Sequence, residues 1–102
     1  MDFETLKQEI EILNRINPKS NYTARYRYKE QYRKIYEALL AMESEGRIEL
    51  EPGKKNLSYL NELLMNDGPE FCYTIEFWEK GNPSEKYKVG VCIRGLPICK
   101  PI

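Results

Sequence analysis

The spacing of the apolar residues changes once along the chain, from steps of three and four in the first two thirds to steps of two in the last third. Steps of three and four keep side chains on one face of a helix, whereas steps of two keep them on one face of a strand. The alternating part consists of two runs separated by a turn at 81–84, with the apolar members Phe71, Tyr73, Ile75, Phe77, Tyr87, Val89, Val91 and Ile93. The chain is therefore predicted to be an α+β protein, with two to three helices packed on a C-terminal antiparallel β-hairpin.

The register of this hairpin is restricted because its apolar residues carry odd numbers on both strands. A slip of one residue would turn a whole strand inside out, so the numbers of direct partners must add up to an even sum. We favour the sum 164, which places Glu76 opposite Lys88 and Cys72 opposite Cys92, over the sum 166, which loses the charge pair. The predicted core pairs are Phe77 with Tyr87, Ile75 with Val89, Tyr73 with Val91, and Phe71 with Ile93.

Periodicity, caps and stop residues place the other elements along the chain. Helices are predicted over about 3–16, 23–45 and 56–66. The hairpin strands are predicted over about 70–79 and 86–94, and a short extra strand over 47–50 is a further option.

Two segments need a separate decision. Residues 22–28 fit either a helix or a strand because tyrosine and alanine alternate there with threonine and arginine, and we favour a helix from about Thr23. Residues 95–102 are predicted to leave the sheet as an extended tail because prolines interrupt them. A chain of 102 residues is expected to form one domain, 1–102.

The composition argues against several kinds of chemistry. The chain has no histidine, so a Ser-His-Asp or Cys-His site cannot be built, and zinc sites of the Cys/His type lose half of their ligands. Cys72, Cys92 and Cys99 form no CxxC pair, and no glycine-rich phosphate loop occurs. We therefore predict a protein that is not an enzyme and that needs no metal, cofactor or small-molecule ligand.

The expected location is intracellular and cytoplasmic, without a membrane partner. The sequence shows no long apolar run and no secretion-signal pattern at its start, and an odd number of cysteines disfavours a disulfide framework. Abundant Lys and Glu with little Gln is a tendency of hyperthermophile proteins. By composition alone the chain is similar to small proteins of archaeal viruses.

The 16 basic and 16 acidic residues cancel, so an electrostatic partner has to be recognised locally. The one local concentration of basic and aromatic residues consists of Arg25, Tyr26, Arg27, Lys29, Arg33 and Lys34. Such a mixture can neutralise phosphates and stack on bases, so these residues are candidates for nucleic-acid binding. Ion pairs of Glu30 with Lys34 and of Arg33 with Glu37 would instead make them an ordinary solvated helix face.

The second predicted helix carries its charges in the order that the helix dipole disfavours. Arg25, Arg27 and Lys29 lie in its first turns, and Glu43 and Glu45 lie at its end. Rules of this kind are most often broken where a partner is recognised. An antiparallel copy of the same helix would match each basic half to an acidic half, and a polyanion would match the basic half only.

Trp78 is the remaining candidate contact, because the alternation places it on the hairpin face opposite the core. Either the third helix or the tail covers it, or it belongs to an interaction surface. A winged-helix domain is a further alternative, since helices followed by a hairpin with Lys80, Lys86 and Lys88 near its tip have a similar order. That fold requires two helices between its first strand and the hairpin, whereas the sequence predicts one between the possible strand 47–50 and the hairpin.

The functional hypothesis is a small non-enzymatic interaction protein that forms a homodimer through the second helix or through the outer hairpin face. The alternative is a nucleic-acid-binding protein, winged-helix-like or other, that uses residues 25–34.

Overall fold

The computed structural model describes residues 1–53, 57–65, 72–91 and 96–102, and only the backbone of 63–65. In chain order its elements are α1 (Phe3–Arg15), α2 (Tyr22–Ser44), β1 (Ile48–Leu50), α3 (Leu57–Met65), β2 (Tyr73–Glu79), β3 (Lys86–Val91) and β4 (Pro97–Pro101). Three helices and a four-stranded antiparallel sheet in these residues confirm the predicted α+β class, and β1 confirms the optional strand. None of the described helices is both long enough and apolar enough to cross a membrane.

Helix α1 begins at Phe3 because Asp2 caps it. The Asp2 carboxylate accepts a hydrogen bond of 2.8 Å from the backbone N–H of Thr5. The helix ends at Arg15, since the Asn-Pro dipeptide that follows Ile16 disfavours helical backbone. Its buried side chains recur at the predicted steps, at Phe3, Leu6, Ile10 and Leu13.

Helix α2 settles the ambiguity of residues 22–28 in favour of the predicted helix. The Asn21 side chain accepts a hydrogen bond of 2.8 Å from the backbone N–H of Ala24 and so starts the helix at Tyr22. Gly46, with a φ of 70°, follows the last turn and lets the chain reverse into β1. The buried residues of α2 are Tyr28, Tyr32, Ile35, Tyr36, Leu39 and Met42.

The sheet has the order β1-β2-β3-β4, and each neighbouring pair is antiparallel. The β2–β3 register is the predicted sum 164, and Glu76 lies opposite Lys88. The predicted partners Phe71 with Ile93 and Cys72 with Cys92 lie outside the described residues. Core pairs confirmed by the register are Phe77 with Tyr87, Ile75 with Val89, and Tyr73 with Val91.

The prediction that residues 95–102 leave the sheet is wrong, because Pro97–Pro101 form β4 at the edge beside β3. The backbone N–H of Ile102 donates a hydrogen bond of 3.1 Å to the carbonyl oxygen of Lys86. In this register the backbone N–H and C=O groups of the even-numbered residues point toward β3. The prolines occupy odd positions, so their backbone nitrogens point toward the free edge of the sheet. A strand accepts proline there because no neighbouring strand requires the missing N–H.

Two helices each donate one side-chain hydrogen bond to this free edge. The Tyr28 hydroxyl donates to the carbonyl oxygen of Pro97 at 2.7 Å, and the Asn14 side-chain amide donates to the carbonyl oxygen of Cys99 at 2.8 Å. An edge strand with unpaired backbone groups can add a strand from another chain. The prolines and the two side-chain donors make β4 a poor template for such pairing.

The helices pack on one face of the sheet, where their apolar side chains and the inward side chains of the strands form one core. The opposite face, the outer sheet face, is half-buried or exposed at every described side chain. These side chains belong to Glu49, Thr74, Glu76, Trp78, Lys86, Lys88, Ile98 and Lys100.

Candidate interaction surface

The structure places six of the seven predicted site residues on α2 and one on the sheet. The six on α2 are all exposed to solvent: Arg25, Tyr26, Arg27, Lys29, Arg33 and Lys34. Trp78 lies in β2 on the outer sheet face, on the side of the sheet away from the helices. The predicted residues therefore form two separate surfaces.

Tyr26 belongs to a line of residues along the solvent side of α2. Tyr22 precedes it by one turn, and the two rings are 87% and 62% exposed. Tyr22 was not among the predicted site residues, although its i,i+4 spacing from Tyr26 could have placed it there once a helix is assumed. We define the outward stripe of α2 as the residues Tyr22, Tyr26, Lys29, Arg33, Glu37, Leu40 and Ser44.

The ion pairs of α2 differ from those predicted. Arg33 pairs with Glu30 at 3.3 Å, one turn earlier, in place of Glu37. Lys34 pairs with Glu9 of α1 at 3.2 Å in place of Glu30. The Gln31 amide donates a hydrogen bond of 2.7 Å to the same Glu9 carboxylate, and this bond together with Lys34 lowers the pKa of that carboxyl. Lys34 thus pairs with a carboxylate of α1, whereas the spacing along the chain predicted a partner within α2.

Three basic side chains of α2 differ from Arg33 and Lys34 in their surroundings. Within the described ranges, Arg25, Arg27 and Lys29 take part in no ion pair. Helical spacing also divides the basic residues, because Arg25, Lys29 and Arg33 follow one another at steps of four while Arg27 and Lys34 lie on the side toward α1. Tyr26 lies between these two rows.

The reversed charge order of α2 is present in the folded helix. Its first turn contains no acidic residue and its last turn no basic residue. The cap at the start, Asn21, is neutral. At the other end Glu45 is exposed and pairs with Arg47 at 3.3 Å. The N-terminal half of α2 is therefore basic and its C-terminal half acidic, against the preference of the helix dipole.

A shallow groove runs between α1 and α2 beside Tyr26. It has a volume of about 450 Å³, and Ile12, Ile16 and Arg27 contribute to its walls. Ile12 is 43% exposed and lines this groove together with the exposed Tyr26. Exposed apolar side chains grouped in this way are typical of binding surfaces.

Trp78 is half-buried, and its ring already has a partner. The Lys86 ammonium lies 5.0 Å from the ring centroid, within the range of a cation–π contact. Helix α3 packs on the other face of the sheet, with Tyr59 edge-on to Tyr73 at 5.1 Å between ring centroids, and β4 lies within the sheet. Among the described residues neither the third helix nor the tail covers Trp78, and a role of this residue in an interaction surface stays a prediction.

Metal-ligating groups and thiols are the reactive side chains to consider in the described residues, whose cysteines are the exposed Cys72 and the buried Cys99. No three His, Cys, Asp or Glu side chains in the described ranges lie close enough together to hold a metal ion. Cys99 is buried in the core, and this burial raises the pKa of its thiol to about 12. A thiol with such a pKa carries almost no reactive thiolate at neutral pH.

The fold is an α+β sandwich of three described helices on one face of a four-stranded antiparallel sheet. Comparison with known proteins finds no family model, no curated protein and no solved structure that matches this chain. Its described order also departs from a winged-helix domain, since one described helix, α3, lies between β1 and the hairpin and a fourth strand is added beyond it.

Proposed function

We propose that this protein is a non-enzymatic interaction protein that forms a homodimer through the outward stripe of α2. The observation that carries the proposal is the exposure of Tyr22 and Tyr26, at 87% and 62%, on a helix whose two halves have opposite charge. An aromatic side chain can bury about 150–250 Å², and tyrosine is enriched among the residues that contribute most to binding.

An antiparallel copy of α2 is the partner that fits both halves of the helix. It sets the basic half of each subunit, with Arg25 and Lys29, beside the acidic half of the other, with Glu37 and Glu45. Exposed ion pairs contribute only about 0.2–1 kcal/mol each. The charges would therefore select the antiparallel orientation, while the tyrosines would provide most of the affinity.

The outer sheet face is the weaker candidate for the same interaction. Its one large aromatic, Trp78, is half-buried beneath Lys86, and Glu76 lies directly opposite Lys88 within the chain. Trp78 and Lys86 therefore already contact each other, and Glu76 and Lys88 already face an opposite charge. The tyrosines of α2 have no comparable cover, which is why α2 is preferred.

The test is the molecular mass in solution, measured by sedimentation over a range of protein concentrations. We expect a dimer for the natural chain and a monomer for the double variant Tyr22→Ser/Tyr26→Ser. The matched control is Ile102→Ser, which removes an apolar side chain of similar exposure, 68%, at the far end of the chain. A natural chain that remains monomeric at every concentration would rule out the proposal.

A second function is favoured by one specific observation, the three basic residues of α2 without an ion pair in the described structure. Arg25, Arg27 and Lys29 beside Tyr26 could hold a nucleic-acid backbone. A gel-shift with random DNA and RNA at low salt tests this function, and the absence of any shift excludes it. If binding occurs, the logarithm of the binding constant should fall with the logarithm of the salt concentration. Replacing the three basic residues by glutamine should make that slope shallower by about 3 for duplex DNA.

Glutamine at Arg15, Arg47 and Lys100 is the matched control for that experiment, because it removes the same charge from exposed positions outside α2 and the hairpin. An intracellular location belongs to the same proposal, since an odd number of cysteines is atypical of disulfide-based secreted domains.

A further inference from the structure

The outward stripe of α2 has a symmetric spacing. Its members Tyr22, Tyr26, Lys29, Arg33, Glu37, Leu40 and Ser44 follow one another at steps of four, three, four, four, three and four. The series of steps is the same when it is read from either end, with Arg33 at its centre. At 3.6 residues per turn all seven positions stay on one side of the helix. Leu40 is half-buried and the other six are exposed.

Resting on the proposed homodimer, we infer that two α2 helices pair antiparallel about a two-fold axis that passes at Arg33. In this arrangement every residue of the outward stripe meets a residue of the same stripe in the second copy. Lys29 lies opposite Glu37, Tyr26 opposite Leu40, and Tyr22 opposite Ser44, each contact occurring twice. A two-fold interface requires such self-complementarity.

The three kinds of contact away from the axis are chemically favourable. Lys29 and Glu37 are both exposed and form no ion pair in the described structure, so the second copy gives each a partner. Leu40 packs against the edge of the core and offers an apolar surface to Tyr26. Ser44 is small, and its hydroxyl is turned back to the carbonyl oxygen of Ala41 at 2.9 Å, which leaves room for the ring of Tyr22.

The central position would bring two Arg33 side chains together. Each is already bound to Glu30 of its own chain at 3.3 Å, so it reaches the axis with a counter-charge. Two neighbouring alignments avoid this contact but lose others. With the axis at residue 35, Lys29 lies opposite Ala41, and Tyr22 extends past the end of the partner helix. With the axis between residues 29 and 30, Leu40 extends past the start of the partner helix and has no contact.

Charge reversal distinguishes these alignments, and sedimentation provides the measurement. In the inferred alignment Lys29→Glu and Glu37→Lys each place two like-charge pairs in the interface, and each should raise the dimer dissociation constant about tenfold or more. A 1:1 mixture of the two variants should dimerise again, because positions 29 and 37 then carry opposite charges only when the two chains of a dimer are different variants. With the axis at residue 35 only Glu37→Lys weakens the dimer, and with the axis between 29 and 30 only Lys29→Glu does.

Lys100→Glu and Glu49→Lys are the control reversals, since both side chains are exposed on the outer sheet face. They should leave the dissociation constant unchanged. A natural dimer that withstands either reversal on α2, or that the control reversals weaken, overturns the axis at Arg33 while leaving dimer formation intact. A monomeric natural chain overturns the inference together with the proposed function.

Discussion

The hydroxyl of Tyr28 donates a hydrogen bond of 2.7 Å to the carbonyl oxygen of Pro97, 69 positions later in the chain. Tyr36, two turns further along α2, donates in the same way to the carbonyl oxygen of Leu57 at 2.5 Å. The hydroxyl of Tyr32, between them, is buried and has no hydrogen-bond partner among the described residues. Three tyrosines on one helix face thus have different roles: one holds β4, one holds the start of α3, and one contributes its ring only.

Replacing each of these tyrosines by phenylalanine should separate those roles. Tyr28→Phe and Tyr36→Phe leave a buried carbonyl without its donor and should each lower the free energy of unfolding by about 1–3 kcal/mol. Tyr32→Phe removes a buried hydroxyl that forms no hydrogen bond with any described residue, so the free energy of unfolding should stay the same or rise. Denaturant unfolding measures all three, and a large loss in Tyr32→Phe would contradict the assignment.

Stability should decrease in alkaline solution. Burial raises the pKa of Cys99 to about 12 and raises that of Tyr32 further above its ordinary value. Burial is also the main cause of the raised pKa of Tyr28, Tyr36 and Tyr87. The unfolded chain therefore loses these protons first, and above about pH 9 stability falls with rising pH, by up to about 1.4 kcal/mol per pH unit for each such group.

Urea unfolding between pH 7 and pH 11.5, with tyrosinate absorbance as a second signal, measures this dependence. These groups add no pH dependence below about pH 8, because they are protonated in both states there. Cys99→Ala, compared with the natural chain at each pH, should show a shallower decline above pH 9. A free energy of unfolding that stays constant up to pH 11 would be incompatible with the buried thiol and phenols.

Gly90 cannot be replaced even by alanine without moving a strand. A Cβ at this position would overlap the carbonyl oxygen of Tyr73 and would lie 2.7 Å from the Cα of Thr74, and both obstacles are backbone atoms. Gly90→Ala should therefore cost about 1–3 kcal/mol or more. Thr74→Ala, directly opposite in the register, should cost at most about 1 kcal/mol. Equal costs for the two variants would show that β3 shifts freely.

Asn14 should be important for β4 although it lies in α1. Its side-chain amide donates to the carbonyl oxygens of Ile10 and Cys99, both at 2.8 Å. Asn14→Ala should cost about 1 kcal/mol and should accelerate amide hydrogen exchange in β4 more than in β2. Gln8→Ala, which removes an exposed amide from the same helix, is the control and should change neither quantity.

Local patterns were sufficient for much of the fold and for the position of the candidate surface. Odd numbering of the apolar residues and the pairing of Glu76 with Lys88 predicted the β2–β3 register correctly, because the period of a strand allows few alternatives. The buried steps of α1 and the reversed charges of α2 were also readable, since helical spacing alone places them. Tyr22 could have been added to the candidate surface by the same spacing.

The tertiary structure decided what depends on residues far apart in the chain. The prolines at 97 and 101 locally predicted a tail outside the sheet. In the folded chain this segment pairs with β3 instead. Tyr28 and Asn14 donate hydrogen bonds to its outer edge from 69 and 85 positions away. Lys34 likewise pairs with Glu9 across 25 positions. Periodicity specifies which face of an element is apolar, whereas the partner of an edge or of a charge depends on the packing of the whole chain.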